Sequence, residues 1–251
     1  MAVAAAIAEE AAALAWQMRA DGLAETIFKG AQDFLTEADG ATETFIRARL
    51  GQDFPDDAII GEEQGGAVVG DGAVWILDPI DGTSNFSRGG DRWCVSIGMA
   101  LGGRAVLGAI ARYAPAEVFV GAEGRGATMN GQPIRPAATT DMTRAIIEVG
   151  WSLRRPIGVF HALAERTMSA GAGLRVGGSG TLGLVECAVG RLDAYIESHI
   201  NSWDACAAIA IGREAGCWTN GFDQGDWIAA GNPVGIGAPG LGEPLAALMK
   251  A

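Results

Sequence analysis

Paired cysteines, clustered basic residues and long apolar runs are all missing from this chain, and each absence removes a class of function. The four cysteines, Cys94, Cys187, Cys206 and Cys217, lie inside apolar segments without Cys-x-x-Cys spacing. They read as reduced, small core residues and not as a disulfide framework or a zinc centre. Lys and Arg total 18 against 30 Asp and Glu, a formal charge of −12. A nucleic-acid surface needs clustered cations, so none is expected. Most of the acid excess reads as solubilising surface, although it also suits a site that gathers carboxylates around cations. No stretch is long and apolar enough to span a bilayer. Met1 to Ala13 is alanine-rich, but it lacks a basic n-region and carries Glu9 and Glu10 where a signal peptide would be apolar. A cytoplasmic location is therefore the expectation. The two histidines, His161 and His199, have no acid or nucleophile partner at a recognisable spacing and read as structural or surface groups.

What is present is enough chain, 251 residues, to bury a real core. Apolar spacing predicts a helix from about Val3 to Lys29 and a second from Thr36 through Phe45, Ile46 and Leu50. Strands with glycine at the turns are expected at Ala73–Leu77, Trp93–Leu101, Ala105–Tyr113, Glu117–Ala122 and Ala127–Met129, as successive antiparallel neighbours. After Pro136 the texture alternates: strand Ala145–Val149, helix Gly158–Ser169, strand Leu174–Val176, helix Gly180–Val189, strand Ala194–Glu197, helix Trp203–Ala215, then a last strand and helix. The pattern predicts an α+β half, residues 1–138, and an α/β half, residues 139–251, in one compact unit with its boundary near Pro136 to Asp141.

The most informative stretch is Trp75-Ile76-Leu77-Asp78-Pro79-Ile80-Asp81-Gly82-Thr83-Ser84-Asn85-Phe86. An apolar strand delivers two carboxylates, three residues apart, into a turn that opens onto a helix. Asp78 and Asp81 can offer oxygens to divalent ions, and N–H groups at a helix start face an anion. Asp-Pro-x-Asp-Gly is also an ordinary turn composition, so other acids must converge on it. Three segments supply them: Lys29-Gly30-Ala31-Gln32-Asp33-Phe34-Leu35-Thr36-Glu37-Ala38-Asp39, Gly61-Glu62-Glu63, and Ser202-Trp203-Asp204-Ala205-Cys206-Ala207-Ala208. In this order the four segments resemble the inositol monophosphatase family of metal-dependent, lithium-sensitive phosphomonoesterases. The similarity extends through Glu117-Val118-Phe119 to Gly126-Ala127 and Asn130-Gly131, so it covers nearly the whole chain. It implies a layered α-β-α-β-α sandwich of the inositol monophosphatase and fructose-1,6-bisphosphatase type, and a homodimer.

The resemblance also implies roles. Glu62, Asp78 and the Ile80 carbonyl would hold a first Mg²⁺, with Glu63 as a supporting neighbour. Asp78 would bridge to a second ion completed by Asp81 and Asp204, and a third ion would be reached by Glu62 and, through water, Asp39. The backbone N–H groups of Gly82 and Thr83, with Ser84, would bind phosphate, and Thr83 paired with Asp39 would orient and deprotonate the attacking water. Gly180 and Glu197 would contact the substrate, as would Asp81. Each residue also has a plainer reading. Asp39, three after Thr36, fits a capping box; Asp204 fits an acid at a helix N-terminus; Thr83 fits a helix cap; Glu197 fits a strand-end surface acid. Arg175 could meet a second anion or form a structural ion pair.

The implied activity is Mg²⁺-dependent hydrolysis of a small phosphate monoester, inositol monophosphate first, by metal-activated water. No Cys-x5-Arg, paired His or Asp-x-Asp-x-Thr signature competes with it. Relatives that hydrolyse histidinol phosphate, fructose bisphosphate or nucleotide 3′-phosphates share the metal motifs, so the substrate stays open. Gly178-Ser179-Gly180-Thr181 and Asn201 depart from the inositol phosphatase pattern, which has Gly-Thr-Ala-Ala or Gly-Ser-Ala-Ala and a common His at those places. A different class of function, a regulatory partner of the transcription machinery, follows from one bacterial relative.

Overall fold

The fold is a computed structural model that describes residues 1–24, 27–30, 33–68 and 72–250, with 27–30 and 33–35 as backbone alone. Helix α1 spans Ala2–Ala20. Its buried face is small, built from Ala4, Ile7, Ala8, Ala11, Ala12 and Ala15, so it lies close to its neighbours. The helix does not run on to Lys29. Gly22 takes φ +84°, its N–H meets the Arg19 carbonyl at 3.1 Å, and Leu23 N–H meets the Met18 carbonyl at 2.9 Å, a glycine-dependent helix stop. Strands β1 (Ile27–Gly30) and β2 (Asp33–Leu35) then form a small hairpin. Ala31 and Gln32 of the Lys29 to Asp39 segment lie outside the described residues. Helix α2 follows over Glu37–Asp53.

The first large sheet comprises β3 (Ala58–Gly61), β4 (Val74–Asp81), β5 (Cys94–Leu101), β6 (Arg104–Arg112), β7 (Glu117–Ala122), β8 (Ala127–Met129) and β9 (Gln132–Pro133), neighbours in that order. All pairs are antiparallel as expected, except β3 with β4, which is parallel. The short helix α3 (Thr83–Ser87) leaves the end of β4. Alternation sets the two faces. Trp75, Leu77, Val95, Ile97, Leu107 and Ala109 pack against α1 and α2, whereas Val74, Ile76, Cys94 and Ile110 face the other way.

The second sheet has the order β11-β10-β12-β14-β13. Its strands are β10 (Ile146–Val149), β11 (Gly173–Arg175), β12 (Ala194–Ile200), β13 (Trp218–Thr219) and β14 (Asn232–Gly237), connected through α4 (Ile157–Ser169), α5 (Gly180–Ala188), α6 (Ser202–Ala215) and α7 (Trp227–Ala230) and followed by α8 (Gly242–Met249). Strand β10 is parallel to both β11 and β12, the arrangement that intervening helices allow. Helices α5 and α6 lie between the two sheets, where Leu182, Leu184, Ala207 and Ile209 meet Ile76, Ile110, Tyr195 and Ile236. Helices α4 and α8 cover the outer face through Leu163, Leu245 and Leu248 on Ile147 and Ile196. The layers run helix, sheet, helix, sheet, helix, as the resemblance implied. Among the described residues no helix is long and apolar enough to cross a membrane.

Candidate active site

Asp78 and Asp81 do not sit in a loose turn; both belong to the end of β4. The period of two directs Asp78 toward the α5 and α6 side, after Val74 and Ile76. Between Asp78 and Asp81 the register against β5 shifts, and such a bulge re-aims the next side chain, so Asp81 joins Asp78 and does not alternate away. The strand ends at Gly82, with φ +91°, where an added Cβ would stand 2.6 Å from the Arg92 carbonyl. Only glycine fits that conformation and that space.

Asp204 arrives on α6, and a row of glycines seats that helix. Gly98, Gly108 and Gly121 pair side by side across β5, β6 and β7. A Cβ at Gly108 would lie 2.1 Å from the Ala207 carbonyl oxygen, and one at Gly98 would lie 2.6 Å from Cys206 Sγ. The bare sheet lets the helix backbone descend onto it, which brings the first turn of α6 against the end of β4. Carboxylate oxygens of Asp78, Asp81 and Asp204 then lie within 4.8 Å of one another. Asp204 also caps its own helix, accepting from Asn201 N–H at 3.2 Å, so the plain and the functional expectations coexist.

The N-terminus of α5 braces these acids. Asp81 Oδ2 accepts from the Ser179 hydroxyl and from Thr181 N–H at 3.0 Å, and the Thr181 hydroxyl donates to the Asp204 carbonyl at 2.7 Å. Gly180, expected to face substrate, lines the cleft and also turns its N–H toward Asp81. Nothing in residue spacing pointed to Ser179 or Thr181 as braces, because the contact spans about a hundred residues.

Asp39 is buried and plays the capping part as well: its Oδ2 accepts from Thr36 N–H at 2.7 Å and from the Thr36 hydroxyl at 2.5 Å. Its other oxygen, Oδ1, faces the Thr83 hydroxyl at 3.2 Å, and that hydroxyl also lies 2.9 Å from the Ile80 carbonyl. Glu62 follows β3, tied to β4 by its N–H on the Leu77 carbonyl at 3.1 Å, and it lines the same cleft. Sequence reasoning missed Glu43, fully buried on α2, whose carboxylate accepts from Glu63 N–H at 2.8 Å and Gln64 N–H at 3.2 Å while paired with Arg47 at 2.7 Å. It fixes the turn that carries Glu62. The only available signal was the four-residue spacing of Glu43 and Arg47.

Crowded acids resist ionising together. Burial, and then the Asp204 charge, push Asp81 up to about 7; burial pushes Asp39 up to about 6. Asp78 is held well above its ordinary range by burial and by Glu62, and Asp204 is raised by burial against the pull of Arg154. Glu62 is exposed toward the cleft, yet its carboxyl is also held high by desolvation between the walls and by Asp204. An all-oxygen, multiply anionic set of this kind matches a hard divalent cation. Cys94, with Sγ 4.0 Å from Asp81, is kept a neutral thiol by burial and does not alter the donor set.

The remaining wall belongs to the second sheet. Glu197 is buried, accepts from the Tyr195 hydroxyl at 2.7 Å on Oε2, and is pushed up to about 7 by burial. It is not a surface acid. Arg154 stands 3.8 Å from both Glu197 and Asp204. Arg175 resolves as a structural ion pair, bound to Glu148 and Glu186 at 3.2 Å each, and Arg92, in the loop between α3 and β5, binds the same two acids. His199 donates to the Ala230 carbonyl at 2.8 Å and His161 is exposed on α4. Together Glu62, Asp81, Gly82, Thr83, Ser84, Gly180, Glu197 and Asp204 line a cleft of about 750 Å³.

The model of the inositol monophosphatase family matches residues 1–249. The chain belongs to the inositol monophosphatase family. This is a family of metal-dependent phosphoric monoester hydrolases, and the acidic cluster gives the chain a place for a metal. Among curated relatives, Inositol monophosphatase 3 of Solanum lycopersicum is 35% identical over 84% of this chain and 82% of its own length. Nus factor SuhB of Pseudomonas aeruginosa is 34% identical over 77% of this chain and 74% of its own. The extragenic suppressor protein suhB of Bartonella henselae, a solved structure, superposes with a TM-score of 0.90 at 27% identity, covering 100% of this chain and 98% of that one.

Proposed function

We propose that this chain hydrolyses a small phosphate monoester, inositol monophosphate first, in a magnesium-dependent reaction. The observation that carries the reading is the meeting of Asp78, Asp81 and Asp204 beside the start of α3, with the Thr83 hydroxyl directed at Asp39. Glu62, Asp78, the Ile80 carbonyl, Asp81 and Asp204 would hold two to three Mg²⁺ ions, which would supply Lewis acidity toward the phosphoryl oxygens and water. The N–H groups at Gly82, Thr83 and Ser84 have no intrahelical acceptor and offer donors to the ester's anionic head. The Thr83 hydroxyl accepts a hydrogen bond from the attacking water while donating to Asp39. Asp39, pushed up to about 6, is ionised at neutral pH yet close enough to it to take up the water's proton, as a general base requires. Positioning and charge stabilisation then do most of what phosphoryl transfer demands. Glu197 at the far wall reads a hydroxyl of the leaving group.

The test is phosphate release from inositol 1-phosphate, histidinol phosphate, fructose bisphosphate and a nucleotide 3′-phosphate, with magnesium and with or without lithium. Inositol 1-phosphate is expected to be cleaved fastest, with loss on chelation, on lithium addition and in Asp81→Asn. No turnover of any ester removes the reading, and faster cleavage of histidinol phosphate moves the substrate. Ile157 and Met168 are exposed apolar residues of α4 that suit a second copy of the chain as partner. A second reading rests on relatives bearing the name Nus factor SuhB and assigns contact with the transcription machinery. A stoichiometric polymerase subunit recovered with the tagged chain would support it.

A further inference from the structure

The loop between β10 and α4 brings a cation into the cleft that the phosphatase reading leaves without a task. Arg154 Nη2 is 3.8 Å from Glu197 Oε1 and 3.8 Å from Asp204 Oδ2, attracted to both and hydrogen-bonded to neither. Its side chain keeps 37% of its exposure, and its guanidinium donates no hydrogen bond among the described residues. A guanidinium with five N–H donors therefore lines the cleft with its Nη2 toward the two acids and without a hydrogen-bond partner among the described residues. The neighbouring acceptor is equally free. Tyr195 occupies Glu197 Oε2, while Oε1, on a side chain that is only 5% exposed, accepts no hydrogen bond among the described residues.

The geometry points to Arg154 as a specificity-determining residue that, with Glu197, selects an alcohol on the leaving group over an amine or a second anion. The inference rests on the phosphatase reading. A hydroxyl donates and accepts through a single oxygen, whereas an amide or a neutral imidazole uses two separate atoms. It can donate to Oε1 and accept from Nη2 with ordinary distances of about 2.8 Å on either side, a triangle that a base of 3.8 Å permits. An ammonium or imidazolium would satisfy Glu197 but meet the Arg154 charge. A carboxylate or second phosphate would satisfy Arg154 but meet Glu197 and Asp204. A divalent cation held by Asp204 would neutralise one of the two charges that attract Arg154 and would leave the guanidinium to Glu197 and the ligand. Trp151, Leu153 and Val176, exposed along the same wall, give the carbon face of such an alcohol an apolar surface.

The full-length chain with magnesium, as wild type, Arg154→Met and Arg154→Lys, is assayed on inositol 1-phosphate and on cyclohexyl phosphate, which has the same ring without free hydroxyls. The quantity read is the ratio of the two kcat/KM values. Arg154→Met is expected to lower that ratio by about 10- to 100-fold, the size of one hydrogen bond from a charged donor, and Arg154→Lys to restore part of it. Magnesium titrated calorimetrically should bind Arg154→Met at least as tightly as wild type, since a competing cation beside Asp204 has gone. A ratio within threefold of wild type overturns the inference, as does weakened magnesium binding with equal loss on both esters, which marks a structural role. Where Arg154→Met fails to fold, Arg154→Lys decides by the same ratio. A wild type that cleaves both esters equally well overturns the inference and spares the phosphatase reading. A wild type that cleaves neither removes both.

Discussion

Thr83 Oγ1 stands 3.2 Å from Asp39 Oδ1, although the two residues come from different elements 44 positions apart. The same Asp39 closes the first turn of α2 through its other oxygen, so one buried carboxylate is both a cap and a proton acceptor. Thr83→Val and Asp39→Asn should each lower kcat by about 10² to 10⁴, the span of a general base, while calorimetric magnesium affinity changes little. Thr83→Ser, which keeps the hydroxyl, should retain most activity. Variants whose kcat stays within threefold of wild type would deny the pair a chemical role and leave Asp39 a cap.

The contact of Gly108 with Ala207 makes a mechanical prediction. A methyl at Gly108 has nowhere to go, since the α6 backbone occupies its place. Gly108→Ala should cost about 1–3 kcal/mol, and by lifting α6 it should also weaken magnesium binding through Asp204. Gly51, on α2, has open space around its missing Cβ. Gly51→Ala should raise stability by about 0.5–1 kcal/mol with no effect on the metal. Denaturant melts and calorimetry on the two variants check both halves, and unchanged metal affinity in Gly108→Ala would separate the glycine row from the site.

The crowded acids predict an inverted pH dependence for the metal-free protein. Asp39, Asp81 and Glu197 rise from ordinary values of 3.8, 3.8 and 4.5 to about 6, about 7 and about 7. A carboxyl with a higher value in the folded state binds its proton more tightly there. Its stabilisation is complete below about pH 4 and is lost as pH climbs through 6 and 7. Glu117 and Asp223, held low by arginine partners, act oppositely at acid pH, so the fall is visible from about pH 5 upward. Without magnesium, Tm should drop between pH 5 and pH 8. Saturating magnesium should reverse the trend, because cations bind the ionised carboxylates. An equal or higher metal-free Tm at pH 8 would contradict the crowding.

Asp39, Glu62, Asp78, Asp81, Gly82, Thr83 and Asp204 could be picked out only because the short motifs that hold them resemble those of a known family, and the structure brings the carboxylates of Asp78, Asp81 and Asp204 together. Apolar periodicity likewise predicted most strands and helices, since alternation and helical spacing are properties of neighbours in the chain. The helix stop at Gly22 was overrun because alanine propensity carried the pattern past a single glycine whose positive φ decides the end. The long-range roles of Ser179, Thr181, Glu43 and Arg154 were hidden for another reason. Their partners are 98, 23, 20 and 43 or 50 residues away, and no local regularity encodes such pairs. The amino-acid order by itself determined which oxygens are available, through the carboxylates at fixed motif positions. Their meeting within 4.8 Å was decided only in three dimensions, where a bulge turned Asp81 and three bare glycines let α6 settle low enough for Asp204 to reach the end of β4.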